Sequence, residues 1–142
     1  MIALPNYADI NGRPMKKLQI EQYLRKLQLN DFEPAVNLAT LTKLQDAHLK
    51  YIPYENFDCL NGKITSLKRQ DMFNKVIMHN RGGICFELNG LYNWLLESLC
   101  FDVTSYSARF IDKMETYQLR RHRVMCVALG EKRYLTDVGV NS

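Results

Sequence analysis

R-G-G-I-C-F-E-L-N-G, residues 81–90, lies where one helical pattern has just ended and another begins. Cys85 directly follows Arg81, the two glycines and Ile84, and it precedes a run in which apolar residues return every three to four positions. That period predicts a helix over 85–99, with Cys85 in its first turn. Its apolar face consists of Leu88, Leu91, Tyr92, Leu95, Leu96 and Leu99.

The patterns on either side of this stretch separate helices from strands. Apolar residues at helical spacing predict helices over 20–27, over 41–48 (ending before Pro53) and from Phe73 through Ile77 (ending at Asn80). After Leu99 the period changes, and 101–110 alternates like a strand. The segments 122–129 and 133–140 predict a hairpin that turns through Gly130, Glu131 and Lys132. Helices first and strands afterwards predict an α+β fold.

Composition restricts the class of protein. The 142 residues are enough for one compact domain or two small ones that share an interface. The net charge of +4 is mild and spread along the chain, which argues against a nucleic-acid partner. Neither an export signal nor a membrane span is present, because Pro5 interrupts the first apolar run and 124–129 is far shorter than the roughly 20 residues of a span. We therefore expect a cytoplasmic protein without a membrane partner.

The four cysteines are spread along the chain without a C-x-x-C pair. This spacing argues against a zinc or redox motif, so we expect no metal site. Cys59, Cys100 and Cys126 are interpreted as small buried hydrophobic residues.

Cys85 differs from the other cysteines in its surroundings. A helix N-terminus favours an anion, and Gly82 and Gly83 let the backbone approach a substrate closely. We expect these features to lower the thiol pKa and to favour a nucleophile. The alternative is a helix-initiating turn with an incidental buried cysteine.

A nucleophilic cysteine needs a base, and the base needs an orienting group. His48 falls on a predicted helix stripe and is expected in the core or at its boundary, and His79 lies at a helix end. His122 opens a strand, and Asp137 lies on the strand that returns. Each of these two also has a structural alternative. His122 could be a hydrogen-bonded histidine at a strand end, and Asp137 could be a surface acid near a turn.

The hairpin register decides whether His122 and Asp137 can meet. If Leu129 pairs with Tyr134, the two side chains share a sheet face but stay offset by four residues, roughly 13 Å. A bulge or a strong twist would have to close that gap.

Three segments together resemble the arylamine N-acetyltransferases. RGGICFELNGLYNWLLESLCFDV (81–103) is similar to the family's R-G-G-x-C-F-E run and the aromatic-rich helix after it. IPYENFD (52–58) resembles P-[FY]-E-N-L, and HRVMCVALGEKRYLTDVGV (122–140) resembles the block that ends in D-V-G-[FV]. The resemblance extends from about Leu18 onward.

The resemblance implies roles and an architecture. Cys85 would be the nucleophile, His122 the base and Asp137 its orienting partner, in a triad arranged as in cysteine proteases. Residues 1–99 would form a helical domain that carries the nucleophile, and 100–142 a partial β-barrel that carries His122 and Asp137. The implied reaction is ping-pong, in which acetyl-CoA acetylates the cysteine and an arylamine, hydrazine or N-hydroxyarylamine accepts the group. Acetyl-CoA would be a co-substrate, and no cofactor would be permanently bound.

Further residues take roles from the same resemblance. Tyr54 and Phe86 would contact the substrate, and Tyr54 could stack on an aromatic amine. Glu55 and Arg81 are expected to pair and to support the loop that holds Cys85. The basic run LRRHR (119–123) could offer cations to coenzyme A phosphates or could be an ordinary solvated surface.

The sequence departs from the family pattern after DVGVNS, where family chains continue. We therefore expect a C-terminally truncated form with impaired turnover. The alternatives are a catalytically silent remnant that folds and associates, and a thiol hydrolase that uses the same triad. Exposed strand edges are expected to favour a homodimer.

Overall fold

The computed structural model describes residues 2–3, 13–111 and 119–140, with only the backbone described for 2–3. The helices are α1 (Lys17–Lys26), α2 (Leu38–Tyr51), α3 (Phe57–Leu60), α4 (Arg69–Phe73) and α5 (Cys85–Ser98). A π-helical turn, Asn74–Met78, continues α4. The strands are β1 (Ile2–Ala3), β2 (Asp102–Ala108), β3 (His122–Leu129) and β4 (Lys132–Thr136).

The helices precede the three longer strands, so the fold is α+β as predicted. The strands form one antiparallel sheet in the order β1-β2-β3-β4. The pairing of β1 with β2 was not predicted from the sequence, because two residues are too few to show a period.

One hydrophobic core joins the helices to the sheet. Its members include side chains from α1, α2, α4, α5, β3 and the segment after β4, and α5 contributes more fully buried side chains than any other element. The predicted boundary at residues 99 and 100 falls between α5 and β2, and this core continues across it.

The predicted helices are confirmed, with one local difference. The helical pattern at 73–77 belongs to α4 and its π-helical turn, which ends at Met78. At the start of α2 the Asn37 side chain accepts a hydrogen bond from the Thr40 N–H at 2.8 Å. This helix ends at Tyr51, before Pro53, as the proline predicts.

Two predictions about the cysteines and one about the hairpin are wrong. Cys59 and Cys100 are exposed, because Cys59 lies on the short surface helix α3 and Cys100 follows the end of α5. The strand predicted over 133–140 stops at Thr136, and the chain then bends. The hairpin pairs Leu129 with Lys132 and not with Tyr134.

None of the described helices combines the length and the apolar character that a membrane crossing requires. Within 13–111 and 119–140, no group of three or more histidine, cysteine or acidic side chains is arranged to hold a metal ion.

Candidate active site

The loop before Cys85 is tightly enclosed, which explains its two glycines. A Cβ on Gly82 would lie 1.9 Å from the Pro53 carbonyl oxygen, and one on Gly83 would lie 2.8 Å from Glu87 Oε2. The Glu87 carboxylate itself reaches back to accept the Ile84 N–H at 2.9 Å. This bond satisfies one of the unpaired donors at the start of α5 and sets the direction in which Cys85 enters the helix.

The segment 54–58 holds the same loop from the other side. The Glu55 N–H donates to the Gly83 carbonyl at 3.0 Å. The predicted pair of Glu55 and Arg81 is present, with Arg81 Nη2 at 2.7 Å from Glu55 Oε1. Asp58, which was not predicted, also accepts from Arg81 at 2.9 Å. These two carboxylates raise the pKa of Arg81, with the Asp58 hydrogen bond as the largest cause.

Lys75 completes this ion-pair network from the π-helical turn. Its Nζ lies 2.7 Å from Glu87 Oε1 and 2.9 Å from Asp58 Oδ2. Burial lowers the pKa of Lys75, but its hydrogen bonds to Glu87 and Asp58 outweigh that effect and leave the pKa raised. Apart from the pair of Glu55 and Arg81, this network was not predicted, because its members come from four separate segments of the chain.

His122 and Asp137 meet directly. His122 Nε2 lies 2.5 Å from Asp137 Oδ2, and the His122 side chain is buried. The observed register brings Asp137 two residues closer to His122 than a pairing of Leu129 with Tyr134 would, and the chain leaves the ladder after Thr136. The chain bends directly after Asp137, at 138–139.

Asn89 and Gln45 hold Asp137 in place, and neither was predicted. Asn89 Nδ2 donates to Asp137 Oδ1 at 2.8 Å, and Asn89 Oδ1 accepts the Val138 N–H at 2.9 Å. Gln45 Oε1 accepts the Asp137 N–H at 3.2 Å. Asn89 did carry a sequence signal, because a polar residue one helical turn after Cys85 lies on the same face of the helix as the thiol.

The Cys85 thiol lies between α5 and the strand that carries His122. Its Sγ is 3.7 Å from the Arg121 carbonyl oxygen. Burial raises the pKa of Cys85, although hydrogen bonds with the backbone of Arg123 and Phe86 act in the opposite direction. The expectation that the helix start would lower this pKa is therefore wrong, because desolvation of the thiolate outweighs the donors at the helix N-terminus.

Aromatic side chains surround the two reactive groups. Tyr54 is 42% exposed, and burial together with the charge of Cys85 raises its pKa, which places the phenol within electrostatic range of the thiol. Phe86 follows Cys85 in α5 and is half-buried. Phe110, which was not predicted, lies with its ring centroid 4.9 Å from that of His122.

The basic run 119–123 divides into two parts. Arg120 and Arg121 are exposed. Arg123 points inward, where its Nη2 donates to Ser105 Oγ at 2.9 Å, and burial lowers its pKa to about 10. Arg123 is therefore not a cation that a surface phosphate could reach.

Two other features lie away from this site. His48 is fully buried, as predicted, and its Nε2 lies 2.8 Å from the Tyr23 hydroxyl. An open cavity of about 690 Å³ between α2 and the segment 27–29 contains none of the predicted site residues.

Comparisons with known proteins identify the family. The N-acetyltransferase family pattern matches residues 37–142. The chain is 37% identical to an arylamine N-acetyltransferase of Mycolicibacterium smegmatis over 123 residues, which are 82% of this chain and 44% of that one. It is 37% identical to the Escherichia coli K12 arylamine N-acetyltransferase over 106 residues, which are 74% of this chain and 38% of that one.

A solved structure shares the fold. The arylamine N-acetyltransferase of Salmonella typhimurium superimposes with a TM-score of 0.83 at 30% identity, over 89% of this chain and 46% of that one. The chain thus spans less than half the length of these relatives.

Proposed function

The chain belongs to the arylamine N-acetyltransferase family, and from that premise we propose that Cys85, His122 and Asp137 form a triad that transfers acetyl groups through a thioester on Cys85. The observation that carries this proposal is the 2.5 Å contact between His122 Nε2 and Asp137 Oδ2. His122 begins β3, and the residue before it, Arg121, contacts the Cys85 thiol through its carbonyl oxygen. A carboxylate accepts the proton of Nε2, so the neutral imidazole keeps Nδ1 as the nitrogen that can take the thiol proton.

The raised pKa of Cys85 makes a base necessary. Most of the thiol is protonated at neutral pH, so His122 has to remove the proton as the sulfur attacks. Asp137 stabilises the imidazolium that forms.

The first half-reaction then follows. Cys85 Sγ attacks the thioester carbonyl of acetyl-CoA, and its proton passes to His122. The tetrahedral intermediate collapses with cleavage of the carbon–sulfur bond to coenzyme A, and the leaving thiolate takes the proton from His122. Backbone N–H groups at the start of α5 support the oxyanion. The products are acetyl-Cys85 and free coenzyme A.

In the second half-reaction a nitrogen or oxygen nucleophile attacks acetyl-Cys85. His122 takes the proton of the nucleophile and returns it to the Cys85 sulfur as the carbon–sulfur bond breaks. We propose an arylamine, hydrazine or N-hydroxyarylamine as acceptor, because Tyr54 and Phe86 offer aromatic surface close to the thiol. Arg120 and Arg121 are the exposed cations of 119–123 that a coenzyme A phosphate could meet.

Intact-mass spectrometry with acetyl-CoA, and separately with an activated aryl acetate, tests this function. We expect the mass of one acetyl group to be added to the wild type and the modification to map to Cys85. The Cys85→Ser variant should gain none, and Cys59→Ser should behave like the wild type. A wild-type protein that never gains the group would contradict the proposal and favour the silent alternative.

The fate of the adduct distinguishes a transferase from a hydrolase. For a transferase, acetyl-Cys85 should persist in buffer and disappear when an arylamine or hydrazine is added, with the acetylated amine as product. Rapid loss in buffer alone would assign the chain to the hydrolase alternative.

A further inference from the structure

We propose that Asn89 is the positioning residue that aligns the three elements of the site, by donating both amide hydrogens of its side chain to groups beside His122. This inference rests on the proposed function, since it assigns a role within the same triad. Asn89 lies on α5 one turn after Cys85 and is fully buried.

The Asn89 side chain contacts both of the segments that bring His122 and Asp137 to Cys85. Its Nδ2 donates to Asp137 Oδ1 at 2.8 Å and also to the Arg123 carbonyl, directly after His122 in β3. Its Oδ1 accepts the Val138 N–H at 2.9 Å. One amide therefore links the helix of the nucleophile, the strand of the base and the loop of the orienting acid.

An aspartate at position 89 could not replace the two amide hydrogens of Asn89, because a carboxylate has no donor. Asp137 Oδ2 faces His122, and Asp137 Oδ1 is held by Asn89 and by the Gly139 N–H at 2.9 Å. With both carboxylate oxygens fixed, the plane of the carboxylate and hence the direction of the His122 ring are fixed. An aspartate at position 89 keeps the acceptor for Val138 but turns a second carboxylate toward Asp137.

Asn93 offers a matched control on the same helix. It is also buried, its Nδ2 donates to a carboxylate, Glu97, at 2.8 Å, and its Oδ1 accepts from Ser105 at 3.0 Å. Asn89→Asp and Asn93→Asp thus make the same chemical change. Each removes an amide that donates to a carboxylate and keeps an oxygen that accepts a hydrogen bond. Only the first change faces Asp137.

Peptide-resolved alkylation by iodoacetamide under native conditions tests the inference without acetyl-CoA. The rate at Cys85 is compared with the rates at exposed Cys59 and Cys100 in the same molecules, for the wild type, His122→Gln, Asn89→Asp and Asn93→Asp. Each variant is first melted, and all are assayed at a temperature where they are equally folded.

We expect His122→Gln and Asn89→Asp to slow alkylation of Cys85 roughly 10- to 100-fold, as misplaced catalytic groups do, with Asn93→Asp close to the wild type. Acetylation by acetyl-CoA should follow the same order. If alkylation of Cys85 is slow in His122→Gln but as fast as in the wild type in Asn89→Asp, the role of Asn89 is overturned and the proposed function is left intact. Normal rates in both variants would overturn the triad, and the role of Asn89 with it.

Discussion

Gly139 lies directly against Cys85. A Cβ built on Gly139 would stand 2.7 Å from Cys85 Cα and 2.9 Å from Cys85 Cβ, closer than side chains approach one another in folded proteins. The bend after β4 therefore packs on the backbone of the first turn of α5, and this contact brings the Asp137 loop to the thiol.

Substitution of Gly139 by alanine should disturb the site more than it disturbs the fold. The new methyl group would push the bend away from Cys85 and Asn89, at a cost of roughly 1–3 kcal/mol for overpacking. We expect a Cys85 acetylation rate at least tenfold below that of the wild type. Gly62→Ala is the control, since its φ of +69° makes alanine unfavourable there with nothing within 4 Å. Equal acetylation rates in the two variants would show that the Gly139 contact is unimportant.

Loss of Lys75 should destabilise the fold more when Glu87 keeps its charge than when Glu87 is neutralised as well. Lys75→Met leaves the Glu87 carboxylate, which is 3% exposed, without its closest cation. We expect a loss of roughly 2 kcal/mol in the free energy of unfolding. Lys75→Met with Glu87→Gln should recover much of it, because the glutamine oxygen can still accept the Ile84 N–H. Urea denaturation of the single and double variants measures this coupling, and strictly additive losses would refute it.

The raised pKa of Cys85 predicts the pH dependence of its alkylation. The folded protein keeps the thiol proton to a higher pH than an ordinary thiol, so the thiolate fraction still grows beyond the usual range. The iodoacetamide rate at Cys85 should therefore climb throughout a titration from pH 6 to about 9. A plateau below pH 7 would instead indicate a stable thiolate paired with an imidazolium.

Buried His48 should make the protein sensitive to acid. Burial lowers the pKa of His48 to about 3, whereas an unfolded chain takes up this proton near pH 6.5. The depressed pKa therefore contributes stability above pH 6.5 that is lost as pH falls toward 3, with an upper limit on the order of 5 kcal/mol. His48→Gln, which can still accept from Tyr23, should show a flatter dependence of unfolding free energy on pH between 7 and 4. Parallel curves for variant and wild type would exclude this histidine as the cause.

Local pattern was enough for the helices and for the candidate chemistry. α5 was predictable because its apolar stripe is a property of its own sequence, and Cys85, His122 and Asp137 were identified by residue type and family-like order. The end of β4 was not predictable, since the contacts that hold the bend after Thr136 come from distant segments: Gln45 and Asn89 accept the N–H groups of Asp137 and Val138, and Gly139 packs on Cys85. The ion pairs of Lys75 were not predictable for a related reason, because its partners Asp58 and Glu87 lie on other segments.

The hydrogen bonds of Gln45 have a consequence for how the site arises. Gln45 on α2 accepts from Thr136 and from Asp137, at sequence separations of 91 and 92 residues. Contacts between such distant positions require the closure of a very long loop, whereas α2 and α5 can form from local contacts. Helices can therefore be present in a chain that still lacks its reactive centre. During refolding, His122-dependent reactivity of Cys85 should lag behind the helical circular-dichroism signal, so that chemical competence marks the completion of the whole fold.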